Sequence, residues 1–305
     1  MLLLALLLLP LLLLSLFFVL CSSSLFVFRY HEQHKHYLKD GVEFWWNDEG
    51  ETQYFTFHWW NLAQYNGLGA FDSNKRFFTI NRSYSPGMAR FGLTVWTGDI
   101  SVSFDSLAQQ PGYQINWLMA GASYVTCDTG GFNGPDDTPL LLTRWYFVSA
   151  FLGVMRVHST HDDMPHFPFL YGPEAGDAMR KALELRYQML PMHYSLAHGM
   201  YNSGRPVFRG MFFDYPADPV CQTITTQWMD GDHLLVSPVL SEDNSTSAYL
   251  PQGTWFEFNS TATHTGPTYV KYVVRVLLLL LLLLFLVGIV LCAGDLHKGE
   301  DYLVQ

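Results

Sequence analysis

Two segments of this chain end in an indole followed closely by a carboxylate. Gly41-Val42-Glu43-Phe44-Trp45-Trp46-Asn47-Asp48 reads as a short buried strand with an acid at its tip. Arg90-Phe91-Gly92-Leu93-Thr94-Val95-Trp96-Thr97-Gly98-Asp99 repeats the plan further along. Two carboxylates at the carboxyl ends of neighbouring parallel strands, each beside an aromatic wall, are what glycoside cleavage requires. A single Asp at a strand end is more often a turn former or a helix cap. The repetition, and the residues downstream, give the pair its weight.

The elements that must position these acids follow from the patterning. Residues 42–46, 77–80, 92–96 and 122–127 are short apolar runs with polar residues at their ends, read as strands. Aromatic-rich residues 55–65 follow the first run, and 104–107 and 115–120 follow the third. Residues 140–152 read as a helix running into 154–157. Over 176–201 the positions Ala178, Met179, Ala182, Leu185, Met189 and Leu190 recur at helical spacing. Residues 207–213 read as a further strand, and the polar, His-rich stretch 26–40 as a loop or helix end. This strand, turn, helix, strand rhythm implies parallel pairing through right-handed crossovers, with functional residues at strand ends as in a (β/α)8 barrel. After Pro216 the texture changes. Residues 234–236, 249–251 and 255–258 are short strands separated by turns, the pattern of an antiparallel β domain, with the boundary near residue 220.

Composition narrows the partners. A net charge of −10 and the lack of any Lys/Arg cluster argue against nucleic acid, whose phosphates need basic side chains. Cys127 and Cys221 are the two cysteines of the body, and no Cys/His spacing points to zinc, so no metal or other cofactor is expected. His31, His34 and His36 cluster without an acidic or thiolate partner and read as a solvated loop. Both ends are apolar. Residues 1–24 resemble a signal peptide or signal anchor, and 276–293 have the length of a transmembrane helix, with eight consecutive leucines inside. Taken as real, these ends imply membrane association and a lumenal or extracellular body, which the sequons at Asn244 and Asn259 would suit. Leucine runs of this purity also arise as low-complexity tracts or gene-model artefacts.

Taken together, the motifs resemble glycoside hydrolase family 31, the family of α-glucosidases and α-xylosidases, over residues 41–259. Its nucleophile motif Trp-x-Asp matches Trp46-Asn47-Asp48, and its acid/base motif Trp-x-Gly-Asp matches Trp96-Thr97-Gly98-Asp99. Between them an Arg-Ser-x-x-x-Gly setting matches Arg82-Ser83 with Gly87. An Asp-x-Gly-Gly-Phe motif matches Asp128 to Phe132, and an Arg-x-His pair matches Arg156 and His158. Gly204-Arg205-Pro206-Val207, Gly231-Asp232 and the segment from Tyr249 to Trp255 look like its later segments. The resemblance implies an α/β fold, with about strands 4–8 of a (β/α)8 barrel over 25–220 and the start of a C-terminal β domain over 221–270. It implies Asp48 as nucleophile and Asp99 as acid/base in a double displacement that retains configuration, which requires carboxyls about 5–5.5 Å apart. Trp46 and Trp96 would tune the two acids by local desolvation, and Arg82 would favour ionised forms nearby. Asp128, Phe132, Arg156 and His158 would bind the sugar. The expected partner is a carbohydrate, an α-linked glucoside or a relative of it. A glycan on the sequon at Asn81 would obstruct Arg82.

Two departures qualify the expectation. After the nucleophile many α-glucosidases have Asp-Met-Asn-Glu, whereas this chain has Asp48-Glu49-Gly50-Glu51, which brings two further acids close. The family's N-terminal β-sandwich and its first three barrel strands have no counterpart, and a barrel lacking them exposes unpaired edges. An inactive truncated remnant, or a membrane-anchored carbohydrate-binding subunit, is therefore the competing reading. A simple membrane protein defined by its two apolar ends would have no need for the ordered motifs.

Overall fold

The computed structural model describes residues 25, 27–51, 53–135, 137–258, 260–273 and the backbone of 287–293. The chain forms two compact units, Met1–Trp96 and Thr97–Gln305. It is a mixed α/β protein with parallel strands first and an antiparallel sheet after them.

In the first unit the His-rich stretch expected as a loop or helix end is a helix, α1, over residues 27–39. Its polar composition hides helical pairing: the rings of Tyr30 and His34, four apart, stack with centroids at 4.0 Å. No Gly or Pro interrupts it, and it ends at Gly41, whose φ of +94° suits only a residue without a Cβ. Helix α2 (Thr56–Phe71) turns a face of Phe57, Asn61, Gln64 and Leu68 inward. It approaches α1 closely at Gly67, where a Cβ would stand 2.2 Å from His31 Nδ1. Strands β1 (Trp45–Asn47), β2 (Thr79–Asn81) and β3 (Leu93–Trp96) run parallel, with Asn47 opposite Asn81 and Asn81 opposite Val95. Leu93, Val95 and Trp96 are buried, as a parallel strand covered on both faces requires.

The second unit begins with α3 (Phe104–Met119), capped by Ser103, whose side chain accepts from Ser106 N–H at 3.1 Å. The two stretches read from sequence are the ends of this one helix. Pro111 lies within it, on a continuous buried face with Leu107, Ile115 and Leu118. Strands β4 (Tyr124–Thr126) and β5 (Asp128–Thr129) follow, and β5 pairs in parallel with β6 (Arg156–Val157), aligning Asp128 with Arg156. Between them α4 (Pro139–Ser149) is buried almost all round, with Trp145 and Leu142 fully enclosed. The single helix expected over 176–201 is two, α5 (Pro173–Gln188) and α6 (Leu190–Ser203). Pro191 opens the second. Within one helix it would lack an amide donor and clash with the preceding turn.

The antiparallel sheet has the order β11-β10-β12-β9-β8-β7. Its strands are β7 (Phe208–Gly210), β8 (Trp228–Asp230), β9 (Leu234–Pro238), β10 (Ser245–Glu257), β11 (Thr263–Val273) and β12 (Val287–Ala293). The four-residue helix α7 (Met211–Asp214) follows β7 directly. The sheet thus takes its first strand from before residue 220. The strands read at 249–251 and 255–258 are one strand, β10, carried through an irregularity between Leu250 and Gly253. Met229, Leu235, Leu250, Trp255 and Tyr249 form its core, with Trp255 Nε1 donating to the Pro251 carbonyl at 2.8 Å.

The transmembrane helix expected over 276–293 is corrected at its C-terminal part. Val287–Ala293 is strand β12, hydrogen-bonded between β9 and β10. An open slot between two strands supplies backbone partners along its length, and a run of apolar residues suits a strand as readily as a helix. The rest of that run and residues 1–24 lie outside the described residues. No helix among the described residues is long and apolar enough to cross a membrane.

Candidate active site

In the first unit, strand register decides which side chains share an end. Because Asn47 faces Asn81 and Asn81 faces Val95, the next residues, Asp48, Arg82 and Trp96, leave the three strands at one level. Arg82 N–H donates to the Asn47 carbonyl at 3.1 Å. Its guanidinium then forks: Nη1 lies 3.2 Å from Asp48 Oδ1 and Nε 2.8 Å from Glu51 Oε1. Glu51, one of the two extra acids, is therefore an arginine partner that the motif alone did not mark. The turn that returns it is tight. Glu49 has φ +56°, unusual for a residue with a Cβ, and its N–H donates to Asp48 Oδ1 at 2.8 Å. Gly50 lets the backbone pass Trp60, where a Cβ would come within 2.8 Å of the ring. Trp46 and Trp96 meet edge to face at 5.9 Å, with Trp96 buried and Trp46 half-exposed, so Trp46 is the wall that reaches the surface. Asn81 is fully buried, which removes its sequon as a glycan acceptor.

In the second unit, Asp99 is exposed in the loop after Gly98, and that loop is tied to the segment following β5. Phe132 N–H donates to the Ile100 carbonyl at 2.7 Å, and Val102 N–H to the Asn133 carbonyl at 2.8 Å. Asp128 is fully buried and paired with Arg156 Nη2, its partner in register. The Phe132 and His158 rings stack at 5.4 Å, and Thr160 N–H donates to the Phe132 carbonyl at 2.8 Å. Asp128, Phe132, Arg156 and His158 thus form one cluster of an ion pair beside a ring stack. Burial, and then the charge of Asp128, push the Cys127 thiol well up, so the neighbouring sulfur stays protonated and is no competing nucleophile.

His166 supports this cluster without any local motif to announce it. Its ring is buried under the Asp128–Phe132 segment, with Nδ1 3.2 Å from the Thr129 carbonyl, which makes that nitrogen the N–H donor. Its own carbonyl accepts from the Tyr146 hydroxyl at 2.9 Å. Gly130, at φ +108°, passes so close that a Cβ would stand 2.1 Å from Nδ1. Asp137, hydrogen-bonded by the Tyr171 hydroxyl, closes the cluster at 3.7 Å from Nε2. Burial and this carboxylate push the Tyr171 hydroxyl up, keeping it a donor. Among the described residues no group of three or more His, Cys, Asp or Glu could hold a metal ion, and His34, read as part of a solvated loop, lies in a helix and packs against Trp45.

Comparison with known proteins gives a concordant picture. The profile of the glycosyl hydrolases family 31 TIM-barrel domain matches residues 26–196, and that of the family's C-terminal domain matches residues 204–283. The chain is 31% identical to a 1,6-alpha-glucosyltransferase of Sporosarcina globispora over 242 residues, 72% of this chain and 18% of that protein. It is 34% identical to the lysosomal alpha-glucosidase of Rattus norvegicus over 62% of this chain and 20% of that enzyme. Among solved structures, a GH31 dextranase of Flavobacterium johnsoniae complexed with isomaltotriose superposes with a TM-score of 0.80 at 22% identity, covering 88% of this chain and 36% of that one. That likeness establishes the fold. The chain spans about a fifth of the length of these curated relatives.

Proposed function

The chain belongs to glycosyl hydrolases family 31, and from that premise we propose that it carries the acids of a retaining α-glycosidase acting on α-glucosides. Asp48 attacks the anomeric carbon and forms a glycosyl ester, while Asp99 gives its proton to the departing oxygen. Asp99 then takes a proton from the incoming water, which opens the ester and restores both acids. Asp128, Arg156 and His158 hold sugar hydroxyls, Phe132 and the half-exposed Trp46 border the ring, and Trp96 backs Trp46. The observation that carries this reading is the placement of Asp48 beside the Arg82 fork at the aligned ends of three parallel strands. Family active sites of this architecture lie at strand carboxyl ends.

A sugar-binding chain without turnover is the second reading, favoured by the Asp128–Arg156 pair and the Phe132–His158 stack, which involve neither Asp48 nor Asp99. Hydrolysis of an aryl α-glucoside by the full chain separates the two. Release of the aryl alcohol that falls to background in Asp48→Ala supports the glycosidase. Folded protein that binds sugar but releases none, with Asp48→Ala indistinguishable from it, overturns it.

A further inference from the structure

The residue before Asp48 and the residue before Arg82 are both asparagines, and both are buried, Asn47 at 6% and Asn81 at 0% exposure. They are register partners on β1 and β2. Asn47 Nδ2 lies 2.8 Å from Asn81 Oδ1, 3.0 Å from Gln64 Oε1 and 3.1 Å from Thr79 Oγ1. Gln64 Nε2 donates back to Asn47 Oδ1 at 2.8 Å, and Asn61 Nδ2 donates to Asn81 Oδ1 at 2.7 Å. Asn61 and Gln64 come from the inward face of α2, so the network ties that helix to two strand ends. Apolar side chains could fill the same space without desolvating five polar groups. What they could not supply is direction: an amide-to-amide hydrogen bond holds two strands in one register and at one twist, whereas apolar contacts tolerate slip.

We propose that Asn47 and Asn81 are positioning residues, whose mutual hydrogen bond, donated by Asn47 and accepted by Asn81, fixes the ends of β1 and β2 so that Asp48 stands against Arg82. The proposal rests on the reading of Asp48 as nucleophile. Its consequence is a rate effect at the attacking carboxylate with little effect on sugar binding, because neither amide reaches the surface. Misplacement of a reacting group by about 1 Å costs about 100-fold in rate.

The test is labelling of the full chain with a 5-fluoro-α-glucosyl fluoride. A carboxylate oxygen bonds to the anomeric carbon, fluoride leaves with its electron pair, and the ester, slow to hydrolyse, is located by peptide mass. Two shape-preserving variants carry the same added charge but differ in hydrogen bonding. Asn81→Asp keeps the acceptor that Asn47 and Asn61 use, and Asn47→Asp loses every donor. The expected result is labelling of Asp48 near the wild-type rate in Asn81→Asp and about 100-fold slower in Asn47→Asp, with the half-saturating reagent concentration little changed in both. Equal rates in the two variants, or a loss that appears only as weaker binding, would overturn the proposal. An unlabelled wild-type chain would instead sink the nucleophile reading. Positioning is then read from the Arg82 Nε–H resonance, identified by its loss in Arg82→Lys. A shift in Asn47→Asp but not in Asn81→Asp supports the role, and no shift in either refutes it.

Discussion

Adding one methyl group at Gly130 tests how the cluster around Asp128 and His166 is built. The glycine has φ +108°, and an added Cβ would stand 2.1 Å from Nδ1 and 2.5 Å from Cε1 of His166. The ring has nowhere to retreat, being 1% exposed and held by its contact with the Thr129 carbonyl. Two costs add. A non-glycine residue in such a backbone conformation costs about 1–3 kcal/mol, and overpacking a filled core about 1–3 kcal/mol more, so Gly130→Ala is expected to destabilise by about 2–6 kcal/mol. Set against a typical total of about 5–15 kcal/mol, that is a large fraction. Urea unfolding followed by tryptophan fluorescence would show it as a lower midpoint at unchanged slope. His166→Ala in the same background removes the overlapping ring but not the backbone cost, so a double-mutant cycle should return a coupling of about 1–3 kcal/mol. A loss below about 1 kcal/mol for Gly130→Ala, or a cycle without coupling, would refute the packing argument.

Further outcomes follow from the same chemistry. Arg156→Met strips the guanidinium from the fully buried Asp128 carboxylate and is expected to cost about 3–5 kcal/mol, read as a lowered unfolding midpoint. A midpoint unchanged from wild type would contradict it. The Tyr249 hydroxyl donates to Asp218 at 2.7 Å and holds that carboxyl below its ordinary 3.8, while burial, aided by Asp218, pushes Tyr249 up to about 12. A lowered carboxyl value stabilises the fold above the unfolded pKa and loses that contribution as pH falls through the folded value. A raised hydroxyl value stabilises below the unfolded pKa, about 10, and is lost as pH rises through the folded value. Tyr249→Phe should therefore flatten the stability profile at both limbs, below about pH 4 and above about pH 10. Parallel profiles for the two proteins would exclude the assignment.

What the sequence alone determined is local and ordered. Short apolar runs ending in Asp48, Arg82, Asp99 and Asp128 identified strand ends with acids and a base at their tips, because a strand and its following turn are written within ten residues. Pro191 could have foretold the break between α5 and α6, since a proline acts on its own turn. Other features depended on partners distant in sequence. The His-rich α1 is a helix because its rings stack on each other and meet Trp45 edge to face, which polarity along the chain does not reveal. Val287–Ala293 is a strand because β9 and β10 leave a slot between them, and an apolar run has the same pattern in a helix or a strand. Glu51 on Arg82, His166 beneath Gly130 and the amides beneath Asp48 carry no motif at all. Their roles exist only once register and close approach bring the groups together, so tertiary structure decided them.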